Sequence, residues 1–175
     1  MSSTISITDD DVFTALRAFL VAVLPAGVEV IQLQDNGVPM PAAGFVGMNN
    51  GGNRRLATNA NGYTDSGGTH TKSITTPTAY TMALDFYGPD SGAWAAIVQS
   101  MFRDESAPDL FPANIQPLHA DDPMQIALLN GEAQYEQRWR LEATMQTVAV
   151  ITTPQEFAGA LAIGIKSVDA EYPPA

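Results

Sequence analysis

The sequence predicts an α/β (α+β) domain: a mixed, mainly antiparallel sheet with two principal helices packed on it and a long C-terminal β-hairpin. Three observations predict it. Two stretches repeat apolar residues at helical spacing, a strictly alternating strand between Ala79 and Phe86 runs almost directly into the second of them, and a much longer alternation occupies Gln134–Ile151.

The first helix is expected from about Asp9 to Leu24. Thr8, followed three residues later by Asp11, can cap it, and Val12, Leu16, Phe19, Leu20 and Val23 recur on one face until Pro25 and Gly27 stop it. Val28–Gln34 and Gly44–Met48 read as strands, separated by the turn formers Asp35, Asn36, Gly37, Pro39 and Pro41. From Asn49 to Ser73 the chain is rich in Gly, Asn, Thr and Ser with little to bury beyond Leu56 and Tyr63, so a protruding loop or hairpin is expected at about 49–73.

Tyr80, Met82, Leu84 and Phe86 then alternate with Ala79, Thr81, Ala83 and Asp85, giving a strand with one strongly apolar face. Gly88 and Pro89 end it. Asp90 or Ser91 is placed to cap the second helix, with Trp94, Ile97, Val98, Met101 and Phe102 as its apolar stripe. Four prolines between Asp104 and Gly131 leave room for one short strand, Asn114–Leu118.

In Gln134–Ile151, Tyr135, Trp139, Leu141, Ala143, Met145, Ala149 and Ile151 share a face opposite Glu136, Arg138, Arg140 and Glu142. A strand of that length spans roughly 60 Å, against the five or six residues of an ordinary strand, more than a subunit of this size needs for its own core. The segment of Phe157, Leu161, Ile163, Ile165 and Val168 reads as the returning strand of a hairpin with it, because Gly159 and Gly164 disfavour a helix. The tail from Glu171 to Ala175 is expected to be extended.

At 175 residues, 45% of them hydrophobic, residues 1–175 suffice for a single domain with a real core. Eight Lys and Arg against nineteen Asp and Glu give a formal charge of -11, which repels phosphate and argues against a DNA reader. With no cysteine, disulfides and thiolate metal sites are excluded. The acidic start at Asp9, Asp10 and Asp11 is unlike a secretory signal, and the longest apolar run, Ala18–Leu24, is far short of the roughly 20 residues that span a bilayer, so no membrane association is expected.

The search for chemistry returns no catalytic, cofactor-binding or metal-binding constellation. His70 and His119 lie in separate segments; a metal site would need Asp121 and Asp122, which read more simply as a solvated Asp-Asp-Pro turn. Neither a phosphate-binding glycine loop, nor Gly-x-Ser-x-Gly, nor His-Glu-x-x-His occurs. Asp85, an acid on an apolar strand, points away from Leu84 and Phe86 and is assigned a pairing or interface role. Arg54 and Arg55, after the Asn50-Gly51-Gly52-Asn53 stretch, are assigned to dock a partner's carboxylates, and Glu136, Arg138, Arg140 and Glu142 form a charged stripe that pairs within the strand or across a subunit interface, or else is simply a solvated face.

The stretches Ala79–Gly88 (AYTMALDFYG), Met101-Phe102-Arg103 and Gln137-Arg138-Trp139-Arg140-Leu141 resemble the neck or tail-terminator proteins of long-tailed bacteriophages, prophage-borne members included. Asn36–Pro41, Pro117–Asp122 and Pro154–Ala158 fall in the same order, so the resemblance spans nearly the whole chain through short, non-catalytic motifs. It implies a tail-terminator-like subunit of a six-membered ring on the last ring of the tail tube. Such a ring stops tail growth and offers a surface to the head-completion or connector protein. The implied partners are further copies of the chain, the tail tube protein, the sheath protein where a tail has one, and the head-completion protein. Genome DNA passes the lumen without specific binding, and the location is the virion neck, assembled in the host cytoplasm. Two other classes share the missing chemistry: a non-enzymatic adaptor or chaperone for another virion protein, and a head-completion or tube protein of the same architecture. A hydrolase using Asp85, Asp121 and Asp122 is the enzymatic rival.

Overall fold

The computed structural model of the protein describes residues 2–33, 41, 43–66, 68–129, 135–158 and 163–164. In chain order the elements are β1 (Thr4–Ile5), α1 (Asp9–Val23), β2 (Glu29–Gln32), β3 (Phe45–Arg55), β4 (Ala60–Ser66), β5 (Thr69–Tyr87), α2 (Ser91–Phe102), a 3-10 turn (Ala107–Leu110), β6 (Ile115–Ala120), β7 (Met124–Gln125), β8 (Leu128–Leu129), β9 (Tyr135–Glu136) and β10 (Arg138–Pro154). Eight of the strands form one sheet, and β8 and β9 form a separate two-stranded ribbon. Only β2 and β3 run parallel; every other pair is antiparallel. This is the α+β fold the sequence predicts.

The axis of the sheet is the pairing of β5 with β10, unbroken from Arg138 opposite Tyr87 to Pro154 opposite Thr71. Facing residues of an antiparallel pair project to the same side. Trp139 therefore lies beside Phe86, Leu141 beside Leu84, Ala143 beside Met82 and Met145 beside Tyr80, and β3 adds Val46 and Met48 to the same face. All of these are fully or largely buried, and both helices lie on this face.

Helix α1 begins as its sequence directs: the Thr8 hydroxyl accepts from the Asp11 N–H at 3.3 Å and the Asp11 carboxylate accepts from the Thr8 N–H at 2.7 Å, a complete capping box. Val12, Leu16, Phe19 and Leu20 are buried as the spacing requires, with Phe13 and Ala15 beside them. Phe19 stacks on Phe111 at 5.2 Å and meets the Phe102 edge at 5.4 Å, tying α1 to α2 and to the turn after it.

Several expectations are corrected. The long strand does not fold back on the segment after Pro154; its partner is β5, because the Thr-rich run Thr69–Thr78 extends that strand well before Ala79. Of the segment read as the returning strand, Phe157, Ala158, Ile163 and Gly164 are described and none is in a strand, while the rest lies outside the described residues. Threonine is β-branched and pairs well without being apolar, so a run poor in hydrophobic residues reads as loop by periodicity alone. Of the loop or hairpin expected at about 49–73, the hairpin is what forms: the stretch contains the end of β3, all of β4 and the start of β5, with β4 and β5 paired around Ser66 and Thr69. Pro77 is tolerated inside β5 because its carbonyl accepts from Leu56, in the gap between β3 and β4 where no strand needs a donor from it.

In α2 the buried stripe is Ser91, Ala95, Val98 and Phe102; Ile97 lies at the surface, and neither Asp90 nor Ser91 makes a side-chain cap. The Ser91 hydroxyl is buried without a partner. What starts the helix is the turn itself: Gly88 has a φ of 109°, and its N–H donates to the Gln137 carbonyl at 3.2 Å. A side chain there would also collide with Gly44, whose Cα would stand 2.8 Å from a Cβ. The expected turn at Asp35–Met40 and the extended tail lie outside the described residues.

Replacing Phe19 by Ala is expected to cost about 3–5 kcal/mol in equilibrium urea unfolding, since it empties the contact between the two helices and the 3-10 turn. The capping box makes a second, pH-dependent prediction. The N–H and hydroxyl of Thr8 hold the Asp11 carboxyl below its ordinary range, so its contribution is present above that range and is lost as pH falls through the lowered value. The stability difference between wild type and Thr8→Ala should therefore shrink on acidification; a difference that grows would contradict the assignment.

Candidate functional site

The face of the sheet away from the helices carries the residues singled out in the sequence. By register, Tyr87, Asp85, Ala83, Thr81 and Ala79 of β5 project there, flanked by Arg138, Arg140, Glu142, Thr144 and Gln146 of β10. Phe45 stacks on Tyr87 at 4.5 Å from β3.

Asp85 is 1% exposed and is neutralised by β10. Arg140, directly opposite, donates from Nε to Oδ1 and from Nη2 to Oδ2, both at 3.1 Å. Arg138, one pair along, donates from Nε at 3.1 Å and places Nη2 2.9 Å from the same Oδ1. Its guanidinium also lies 5.6 Å from the centre of the Tyr87 ring. Burial pushes the Tyr87 phenol above the usual tyrosine range, partly offset by the Arg138 charge. Asp85, Arg138 and Arg140 thus meet in one cluster. Glu142 shares their face but is exposed, and Glu136, on β9 opposite Leu128, is near enough for its charge to act on Tyr87.

Beyond this cluster the face opens into a groove of about 440 Å³. Its floor is Ala79, Thr81 and Thr144, the two hydroxyls 3.3 Å apart; Arg54 stands on one bank and Glu142, Asp121 and His119 on the other. The groove exists because β3 bulges between Asn50 and Gly52, where Gly52 has a φ of 118° and donates its N–H to the Asn50 side chain at 2.7 Å. Asn50 in turn donates to the Tyr80 hydroxyl at 2.7 Å, anchoring the bulge to the buried face. Burial, with the Asp9 carboxylate adding to it, drives the Tyr80 phenol strongly upward, so it stays neutral. The small residues of the floor were legible in the alternation of Ala79, Thr81 and Ala83; the bulge that opens the groove was not.

The bulge also sets the register of the two arginines. Arg54 pairs with Ala79 and Arg55 with Thr78, so they project to opposite faces of the sheet. Elsewhere Arg17 donates to the Val30 carbonyl, Arg103 to the Ala120 carbonyl, and the Lys72 ammonium lies 5.8 Å from the Tyr63 ring. Arg54 and Arg55 have no hydrogen-bond or ion-pair partner among the described residues.

Both histidines are held by neighbouring aspartates: His70 Nδ1 is 2.7 Å from Asp65 Oδ1, and His119 Nε2 is 3.7 Å from Asp121 Oδ1. Asp122 accepts from Gln99 at 2.6 Å and so braces the turn after β6 against α2. Among the described residues no three His, Asp or Glu side chains converge as a metal site, and no helix is long and apolar enough to cross a membrane.

Removing the buried Asp85 carboxylate leaves two part-buried guanidiniums, 20% and 31% exposed, without their counter-charge, so Asp85→Ala is expected to cost about 3 kcal/mol in urea unfolding. A double-mutant cycle with Arg140→Ala should recover part of that loss; strictly additive costs would show that the two residues do not act as a pair.

Among curated proteins none matches the chain. The family of phage neck terminator proteins matches residues 10–170, which takes in every strand of the sheet except β1, nearly all of α1 and the whole of the site described above. With that match over most of its length, the chain belongs to the phage neck terminator protein family, and its role is that of a structural protein of the virion neck.

Proposed function

We propose that the protein assembles as a six-membered ring at the head-proximal end of the tail, ends growth of the tail tube and joins the tail to the head-completion proteins. One observation carries this reading. No residue from Thr71 to Thr78 of β5, or from Val148 to Pro154 of β10, is buried, although the two strands remain paired throughout. The near half of the ladder covers the helices; the far half has no helix to cover.

A two-strand ribbon without a core is marginal in water, and β4 and β1 add to its width without adding a core. Residues on a sheet of this kind gain their burial from another chain. The row Ile5, Ile151 and Ile74 supports the same view: these side chains face one side of three adjacent strands, and Ile5 is 54% exposed. The acidic chain is also suited to line a passage for DNA, because it offers few cations to hold phosphate.

The test is the purified protein, alone and mixed with the tail tube protein, by native mass spectrometry and negative-stain imaging. A closed six-fold ring is expected; a monomer or dimer under every condition would favour an adaptor instead. In the phage, deletion of the gene should leave heads and tails unjoined with tails of abnormal length, and normal infectious particles from the deletion would end the proposal. No measurable duplex DNA binding is expected at physiological salt.

A further inference from the structure

The two long edges of the sheet are not equivalent. On the β10 side the edge is broken into β7, β6 and β1, the first and last of two residues each. The longest of these, β6, has Pro117, which lacks an N–H, and a register shift that leaves Leu118 as an extra residue between Pro117 and His119. Short pieces, a proline and a bulge are the devices by which sheets discourage another strand from adding.

The opposite edge has little of this protection. β2 covers β3 only from Phe45 to Met48, and Leu33 donates to the Met48 carbonyl. β4 then pairs regularly with β5 over its whole length, and has no second strand on its other side among the described residues. It contains neither proline nor lysine, and its one charge, Asp65, is occupied by His70. Every residue from Gly51 to Ser66 is exposed. Outward N–H and C=O groups along such a strand are a template for a further strand.

Beside this edge stand Arg54 and Arg55, one on each face of the sheet and without partners among the described residues. In a chain with nineteen carboxylates and eight cations, guanidiniums placed in this way select an acidic neighbour. The chain itself is such a neighbour.

We infer that the β4 edge is the site at which a second copy of this chain adds a strand to the sheet, with Arg54 and Arg55 clamping that copy's carboxylates on the two faces. The opposite edge, guarded at Pro117 and Leu118, does not take part in main-chain pairing. For a ring, the strand that adds to β4 must come from a surface of the second copy other than its own β4, since β4 on β4 is a two-fold contact that closes as a dimer. This rests on the ring reading above and names the surface that reading leaves open.

The test uses the full chain. Hydrogen–deuterium exchange should show the amides of Ala60–Ser66 slowed at least about tenfold in the oligomer relative to dilute monomer, with β6 unchanged. Arg54→Glu/Arg55→Glu should weaken association by about tenfold or more while leaving the thermal transition of the monomer in place, since neither side chain has a partner among the described residues of the subunit. Arg54→Lys/Arg55→Lys should retain most of the association. Rings that form with β4 exchange unchanged would overturn the inference and leave the ring reading intact. A chain that stays monomeric with or without tube protein would overturn both. Protection of β4 that appears only on adding tube protein would assign the edge to that partner and refute a second copy as the occupant. Unimpaired rings from the Glu double variant would refute the clamp.

Discussion

Asp85 is buried on the sheet face away from the helices, and among the described residues it is satisfied by the two arginines of β10, one directly opposite and the other two residues along. Apolar alternation alone sets the pairing of β5 and β10 modulo two residues: a slip of one turns Tyr80, Met82, Leu84 and Phe86 outward, but a slip of two keeps every side chain on its own face. The charges on β10 narrow that ambiguity. A slip of two in one direction sets the Glu142 carboxylate opposite the buried Asp85, while a slip in the other puts Arg138 in the place of Arg140, so the ion pair penalises one of the two wrong registers. A buried ion pair adds little over an apolar pair in the correct register. Its value lies in what that wrong register loses.

That register places everything else. With Leu141 beside Leu84 and Met145 beside Tyr80, the near half of the ladder presents one continuous apolar face, and α1 and α2 close over it through Phe19, Phe102 and Phe111. The same ladder continues past Thr78 with no change in pairing and loses its burial. One pair of strands thus serves first as the floor of a core and then as a scaffold that lies beyond it. The length of the one element thus divides it into a half that lines the core and a half in which no residue is buried.

Charge is distributed along the same lines. Most cations among the described residues are directed inward, Arg138 and Arg140 to Asp85, Arg17 to the β2 backbone and Arg103 to the end of β6, where each joins two elements of the subunit. The carboxylates are left largely in solvent, so the outer surface is acidic. Arg54 and Arg55 are exceptions: as successive strand residues they take opposite faces of the sheet, and the Gly51-Gly52 bulge sets which face each one takes.

By itself the sequence determined whatever depends on near neighbours: the Thr8–Asp11 capping box, the stripe of α1, the alternation of Ala79–Phe86 and Arg138–Ile151, and the outward direction of Asp85. These follow from the 3.6- and 2-residue periods of the backbone, which any window of the chain displays. It also put Arg138 and Arg140 on the polar face of one strand and Asp85 on the polar face of another. Tertiary structure decided which strand β10 would choose, because the Thr-rich run that extends β5 has no apolar period and gains strand form only from its partner. It decided that the two arginines converge on Asp85, a contact between residues more than fifty positions apart. It also decided that one edge of the sheet is guarded and the other open, since an edge is defined only once every other strand has been placed.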